Sequence, residues 1–199
     1  MGIAFPKMYF LSECQVIKIS DCIKKNVEKS FILFENRMII LHLTHTPNNE
    51  TFYVSTFHMP CKYRHEYIMK LYASTYIKQV QLLSEKKDIP YVITGDFNID
   101  STLDIYKFLI DGQIDDHKTH HYPIRSVYYV KNGYEPDYTI KVIKEDKSSY
   151  CGTLDYIFIS KHFKVDDVKP LDNSIKGVLP NDKYGSDHLP IGAKLKLSR

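Results

Sequence analysis

The order of apolar periods along residues 37–95 constrains this chain most. "RMIILHLTHT" (37–46) and "ETFYVSTFHMP" (50–60) are two β-rich runs separated by Pro47-Asn48-Asn49, a turn composition that predicts an antiparallel hairpin. From Glu66 to Lys87 the period changes. Ile68, Tyr72, Tyr76, Val80 and Leu83 keep to one stripe with charged residues between them, which predicts a long amphipathic helix ended before Pro90. "PYVITG" then reads as a short buried strand. Strands and helices mixed in this way, hairpins included, predict a layered α/β fold with partly antiparallel sheets.

Beyond residue 100 the periods are shorter. "STLDIYKFLIDG" (101–112) predicts a second helix with Ser101 as candidate N-cap and Gly112 as its stop. Residues 113–149 carry weak periodicity and read as an irregular insert with short strands, before strands resume at "TLDYIFIS" (153–160) and "PIGAKLKL" (190–197). With 199 residues, 43% of them hydrophobic, the chain has apolar material for one sizeable core, so one domain over 1–199 is expected. A formal net charge of +3 tolerates a polyanionic partner but is far from the footprint of a bulk nucleic-acid binder.

Compartment follows from what the chain lacks. Cys14, Cys22, Cys61 and Cys151 form no C-x-x-C pair, so neither a zinc site nor a disulfide framework is indicated and a reducing compartment, cytoplasmic or nuclear, is expected. No apolar run approaches the roughly 20 residues that span a bilayer, and "MGIAFPKMYF" is not a signal peptide. The protein is expected to be neither secreted nor membrane-spanning.

Three acids stand at predicted strand ends: Asp96 in "ITGDFN", Asp155 in "TLDYIF", and Asp187, followed by His188, in "YGSDHLP". Rigid sheets aim strand-end side chains into clefts. Asp96 and Asn98, two residues apart, share a face if extended geometry persists. Hard oxygens of this kind suit Mg²⁺ or Mn²⁺, which bind through few carboxylates plus water and substrate phosphate. His188 needs a partner to hold its tautomer, and Asp155 is the kind of group that does so. Each motif alone also reads blandly, as a turn, a loop or a strand with one surface acid.

Together, "ITGDFN", "GTLDYIFIS" and "YGSDHLPIGAKL" resemble three motifs of the endonuclease/exonuclease/phosphatase superfamily. "EPDYT" and "LPNDKYGSDHLPIGAKLKL" are most similar to its branch of nocturnin, angel proteins and carbon-catabolite-repressor deadenylases. The resemblance implies a four-layer α/β/β/α sandwich of the DNase-like type and a divalent-metal-dependent phosphodiesterase or nuclease acting on nucleic acid or nucleotides, RNA ahead of DNA. By position, Asp96 would orient or deprotonate the attacking water and Asn98 would hold it. Asp187, with Asp96, would hold the metal. His188, oriented by Asp155, and His58 of "STFHMP" would contact the phosphate. Outside that context His58 reads as a sheet histidine facing solvent.

The chain departs from the pattern in four places. Thr56 and Ile140 stand where the branch often has asparagines, which argues against poly(A) specificity. The family's early asparagine and its "QE" pair, whose glutamate is the principal metal ligand, have no counterpart, and Glu13 and Glu28 lie in no comparable motif. The chain opens on "GIAFPK", which resembles a later strand. The expected domain is therefore amino-terminally truncated, with a weak metal site and unpaired strand edges that invite association. Two alternatives follow: an impaired family remnant acting as a binding protein, and a phosphatase on phospholipid or inositol headgroups. "DDHKTHH" (115–121), with His117, His120 and His121, matches no structural zinc spacing and reads as a solvated loop.

Overall fold

The computed structural model describes residues 1–23, 35–61, 65–86, 88–112, 123–144 and 146–198. Glu28, Lys87 and the histidines of "DDHKTHH" lie outside the described residues. The expected hairpin is β2 (Arg37–His45) and β3 (Glu50–His58), paired from Met38–Phe57 to His45–Glu50. Helix α2 runs Glu66–Glu85. It returns the chain to β4 (Tyr91–Asp96), which lies parallel to β3. A parallel neighbour needs such a crossover, because no tight turn can reach back to the starting end.

The main sheet has the order β1-β2-β3-β4-β8-β5, with β1 (Tyr9–Lys18) and β5 (Arg125–Ser126) at its edges and β8 (Asp155–Ile159) beside β4. One face carries α1 (Ile19–Ile23), α2 and α3 (Asp104–Asp111) over the larger core. Tyr72, Tyr76 and Val80 of the expected stripe are fully buried there, while Ile68 and Leu83 flank it. The other face packs Phe52, Val92, Ile157 and Ile159 against a second, two-stranded sheet, β9 (Phe163–Val168) with β10 (Ala193–Leu197). Helix α4 (Val127–Asn132) lies in the same cluster. β6 (Ile140–Ile143) and β7 (Ser149–Gly152) form a separate hairpin. Among the described residues no helix is long and apolar enough to cross a membrane.

Two local expectations change. "GIAFPK" is not a strand: β1 begins at Tyr9, after a turn in which Tyr9 N–H donates to Pro6 O. Ser101 does not cap α3. Asp100 takes the local donors instead, accepting from Thr102 N–H at 3.0 Å and from its hydroxyl at 2.7 Å, and this turn delays the helix to Asp104. Gly112 does stop it, with φ 71 and its N–H on Phe108 O.

Glu135 is a buried carboxylate under this layer. One oxygen accepts from the Tyr106 hydroxyl; the other, Oε2, is buried with no hydrogen bond among the described residues. Burial holds its pKa above the ordinary carboxylate value. A raised acid favours the fold most below its ordinary pKa, and that contribution is lost as pH rises through the raised value. Glu135→Gln should therefore raise the neutral-pH Tm by about 2–4 °C, for roughly 1 kcal/mol from no longer burying a charged carboxylate. Calorimetric scans at neutral and acid pH check this. The gain should shrink in acid, and an unchanged or lower Tm at neutral pH rejects it.

Candidate active site

The ends of β3, β4 and β8 lie side by side. His58 is in register with Asp96, and Asp96 with Asp155, so three chemical side chains stand in one row across adjacent strands. Below them an aromatic floor fixes the strand ends. Phe97 packs edge-on to Phe158 at 5.1 Å and Tyr156 at 6.0 Å, and Tyr76 lies 4.8 Å from Phe57. The single Tyr156 hydroxyl proton is shared between Ile99 O and Thr153 O, each 2.8 Å from the hydroxyl oxygen. Such a floor limits rotation of the acids above it, which is what preorganisation requires.

Two hydrogen-bonded groups make up the site. In the first, Asp96 Oδ1 accepts from Asn98 N–H at 2.8 Å, and Asp96 Oδ2 lies 3.3 Å from both Asn98 Nδ2 and His58 Nε2. Asn98 Nδ2 also donates to Met59 O at 2.8 Å. The extended geometry expected through Asn98 does not persist. Its φ is 49, and a carboxylate-to-amide turn, rather than strand periodicity, turns it back onto Asp96. In the second group, His188 Nδ1 lies 2.7 Å from Asp155 Oδ2, which also accepts from the Thr139 hydroxyl at 2.6 Å.

Burial separates floor from rim. Asp96 and Asp155 side chains are 18% and 17% exposed against 59% for His58. Burial, followed by the Asp155 charge, raises the Asp96 pKa against the opposing Asn98 N–H. The hydrogen bond to Asp155 is the largest cause raising that of His188, ahead of burial, which lowers it. His188 is therefore charged over a wider pH range than an ordinary histidine.

Asp187 stands apart. It is exposed on the loop before His188 and bonds to none of the other five residues. That loop is anchored by its own small core of Tyr138, Leu179 and Leu189, by Leu189 N–H on Thr139 O at 2.7 Å, and by a bridge between Ile140 and His188. Sequence reasoning missed two supporting residues. Thr139 is fully buried, and besides donating to Asp155 its Oγ1 accepts from the N–H groups of Leu154 and Asp155. Asn36 donates to His58 O at 2.7 Å. "EPDYT" marked Thr139 as part of a motif, but nothing local signals Asn36.

A cavity of about 190 Å³ opens beside Asn98, floored by Met69, Ile99 and Ile105 and rimmed by Glu66 and Asp104. It is smaller than the 300–1,000 Å³ typical of drug-sized ligands, so it holds a small group. Among the described residues no three acids, histidines or cysteines are grouped so as to hold a metal ion. The oxygens present suit a hard cation nonetheless, because Mg²⁺ is commonly held by one or two carboxylates with water and substrate phosphate completing its shell. A cation there would also offset the part of the Asp96 burial that Asn98 and the histidines leave uncompensated.

A mixed α/β sandwich with paired carboxylates and histidines at its strand ends defines the class, that of the DNase-like folds. The model of the endonuclease/exonuclease/phosphatase family matches residues 24–188, and the chain belongs to that family. It is 34% identical over 119 residues to carbon catabolite repressor protein 4 homolog 4 of Arabidopsis thaliana, a match covering 54% of this chain and 27% of that protein. It is 27% identical over 139 residues to a probable CCR4-Not complex 3'-5'-exoribonuclease subunit of Enterocytozoon bieneusi, covering 61% of this chain and 27% of that one. The structure of ANGEL2, a 2',3'-cyclic phosphatase, superposes with a TM-score of 0.73 at 19% identity, over 96% of this chain and 68% of that chain. The matched segments thus span under a third of the length of the Arabidopsis and Enterocytozoon proteins.

Proposed function

We propose that this chain is a phosphoesterase acting on nucleic acid or nucleotide phosphates, RNA ahead of DNA, with Mg²⁺ or Mn²⁺ as cofactor. The row of His58, Asp96 and Asp155, with His188 bonded to it, carries the reading. The names of the relatives, an exoribonuclease subunit and a 2',3'-cyclic phosphatase, support the substrate class.

In the reaction a water oxygen attacks phosphorus in line, one P–O ester bond breaks, and the products are a phosphomonoester and a free hydroxyl. Asp96 orients that water and takes its proton. Asn98 has its amide nitrogen committed to Met59 O and Asp96, which leaves its oxygen to hold the water. His188, with Nδ1 committed to Asp155, turns Nε2 toward the phosphate, opposes its developing charge and gives its proton to the departing ester oxygen, while His58 opposes the same charge from the rim. Asp96 and Asp187 are the residues that would hold Mg²⁺, which when bound supplies neutralisation of the phosphate oxygens.

A non-catalytic phosphate binder is the second reading, favoured by the lack of a three-ligand group among the described residues. Labelled RNA and DNA oligonucleotides and a nucleoside 2',3'-cyclic phosphate, incubated with and without Mg²⁺, decide between the two. Turnover lost in an Asp187→Ala, His188→Ala double variant supports the enzyme. Retained RNA binding without turnover in folded protein supports the binder. Calorimetry of Mg²⁺ alone should show weak binding, and tight binding in the absence of substrate would reject the sparse site described above.

A further inference from the structure

We infer that β1 is a self-complementary edge through which two copies of this chain pair antiparallel, joining their six-stranded sheets into one. β1 is the outer strand of the sheet, ten residues long and mostly exposed. Phe10 is 62%, Leu11 39% and Val16 56% exposed. A long, apolar edge with no strand outside it among the described residues is what native sheets ordinarily avoid, because its free N–H and C=O groups template another strand.

The direction of those groups follows from the pairing with β2. Thr46 N–H donates to Met8 O and Ile19 N–H to Asn36 O, so both ends of β1 are placed relative to β2. Backbone groups alternate sides along a strand, and the register slips by one residue at Ser12, between Leu11 and Glu13. Hence Tyr9 and Leu11 before the slip, and Cys14, Val16 and Lys18 after it, turn their backbone away from β2. Tyr9 N–H is already taken by Pro6 O.

A two-fold axis at Cys14 makes this set match itself. Cys14 faces Cys14 of the second copy and Gln15 faces Glu13; across the slip, Val16 faces Leu11, Ile17 faces Phe10, and Lys18 faces Tyr9. Outward-turned residues meet outward-turned residues at every step, so the ladder closes with regular alternation. Side chains agree as well. Leu11 is paired with Leu43, Cys14 with Leu41 and Val16 with Ile39, which places all three on one face, and Phe10 and Ile17 on the other. The facing pairs are thus apolar with apolar, amide with carboxylate, and lysine with an aromatic ring, and no like charges meet. An isologous contact of this kind closes at two copies and does not propagate.

Sedimentation equilibrium of the 199-residue chain should give twice its 23.3 kDa mass. Val16→Pro removes an outward N–H that only a partner strand could use and leaves the β2 ladder intact, so the fold should persist while self-association weakens roughly tenfold or more. Leu11→Lys, which sets a charge against Val16 of the second copy, provides the same test without a backbone change. A short bismaleimide should link two chains through Cys14 in a Cys22→Ser, Cys61→Ser, Cys151→Ser background. A monomer at every soluble concentration overturns the inference. So does a dimer that survives both Val16→Pro and Leu11→Lys, since it would use another surface.

Discussion

Replacing Asp155 with Asn should cut phosphate-ester turnover on the order of 10²–10⁴-fold, with the loss mainly in kcat. The substitution barely changes volume, and the Thr139 hydroxyl still finds an oxygen to donate to, so the strand end should keep its shape. What changes is His188. Its Nδ1 loses the carboxylate that fixes the tautomer and that is the largest cause of its raised pKa. The sign is determined: with that support gone, burial lowers the His188 pKa against only the more distant charges of Asp96 and Asp187, and it falls toward its ordinary value. The alkaline limb of the pH–rate profile should accordingly move to lower pH. Thr139→Val should move the same limb slightly the other way, to higher pH, because Asp155 keeps its charge and its Oδ2 gives more of it to His188 once the competing hydroxyl donor is gone, and Thr139→Ser should restore the wild-type limb. An Asp155→Asn profile with wild-type kcat and an unmoved limb would mean that the pair positions the loop and takes no part in proton chemistry.

How much of this was legible in the chain depends on the length of the pattern. The hairpin, α2, β4 and β8 follow from runs long enough to show a period, and all were placed within a few residues. α4 was not foreseen, because "VYYVKN" is built from β-branched and aromatic residues. It coils because Gly133 stops it in the left-handed region at φ 84 while Val127 and Tyr128 pack into the core between the sheets. β9, "FKVDDV", alternates too weakly for its charges to be told from a loop. In the site, Asp96, Asp155 and His188 were readable because strand-end acids are conspicuous. Thr139 and Asn36 were not, because their partners lie 16 and 22 residues away and only the folded sheet brings them together. The relation between Asp96 and Asn98 was inferred from strand alternation and arises from a turn, a distinction that only the backbone dihedrals carry.

Gly95→Ala should destabilise the protein by on the order of 3–5 kcal/mol, a fall in Tm of about 10 °C or more, and take the active site with it. Gly95 is in register with Phe57 on the parallel neighbour β3, and its φ of 147 lies where L residues are strained. A Cβ built there would sit 1.9 Å from Phe57 O, a contact with backbone that no rotamer can relieve. β3 and β4 would have to part at the point where His58 and Asp96 meet. Gly177→Ala separates the two contributions: its φ of 82 is strained as well, but nothing lies within 4 Å of the new carbon. It should cost only the backbone term, roughly 1–2 kcal/mol. The difference between the two variants therefore measures what the close strand approach demands. If Gly95→Ala melts with Gly177→Ala and keeps full phosphate binding, the approach of β3 to β4 is not what holds the carboxylate row in place, and the aromatic floor beneath it must suffice. If Gly95→Ala falls far below, the glycine of "GDFN" is there because only it lets two strands come close enough to set a histidine beside an acid.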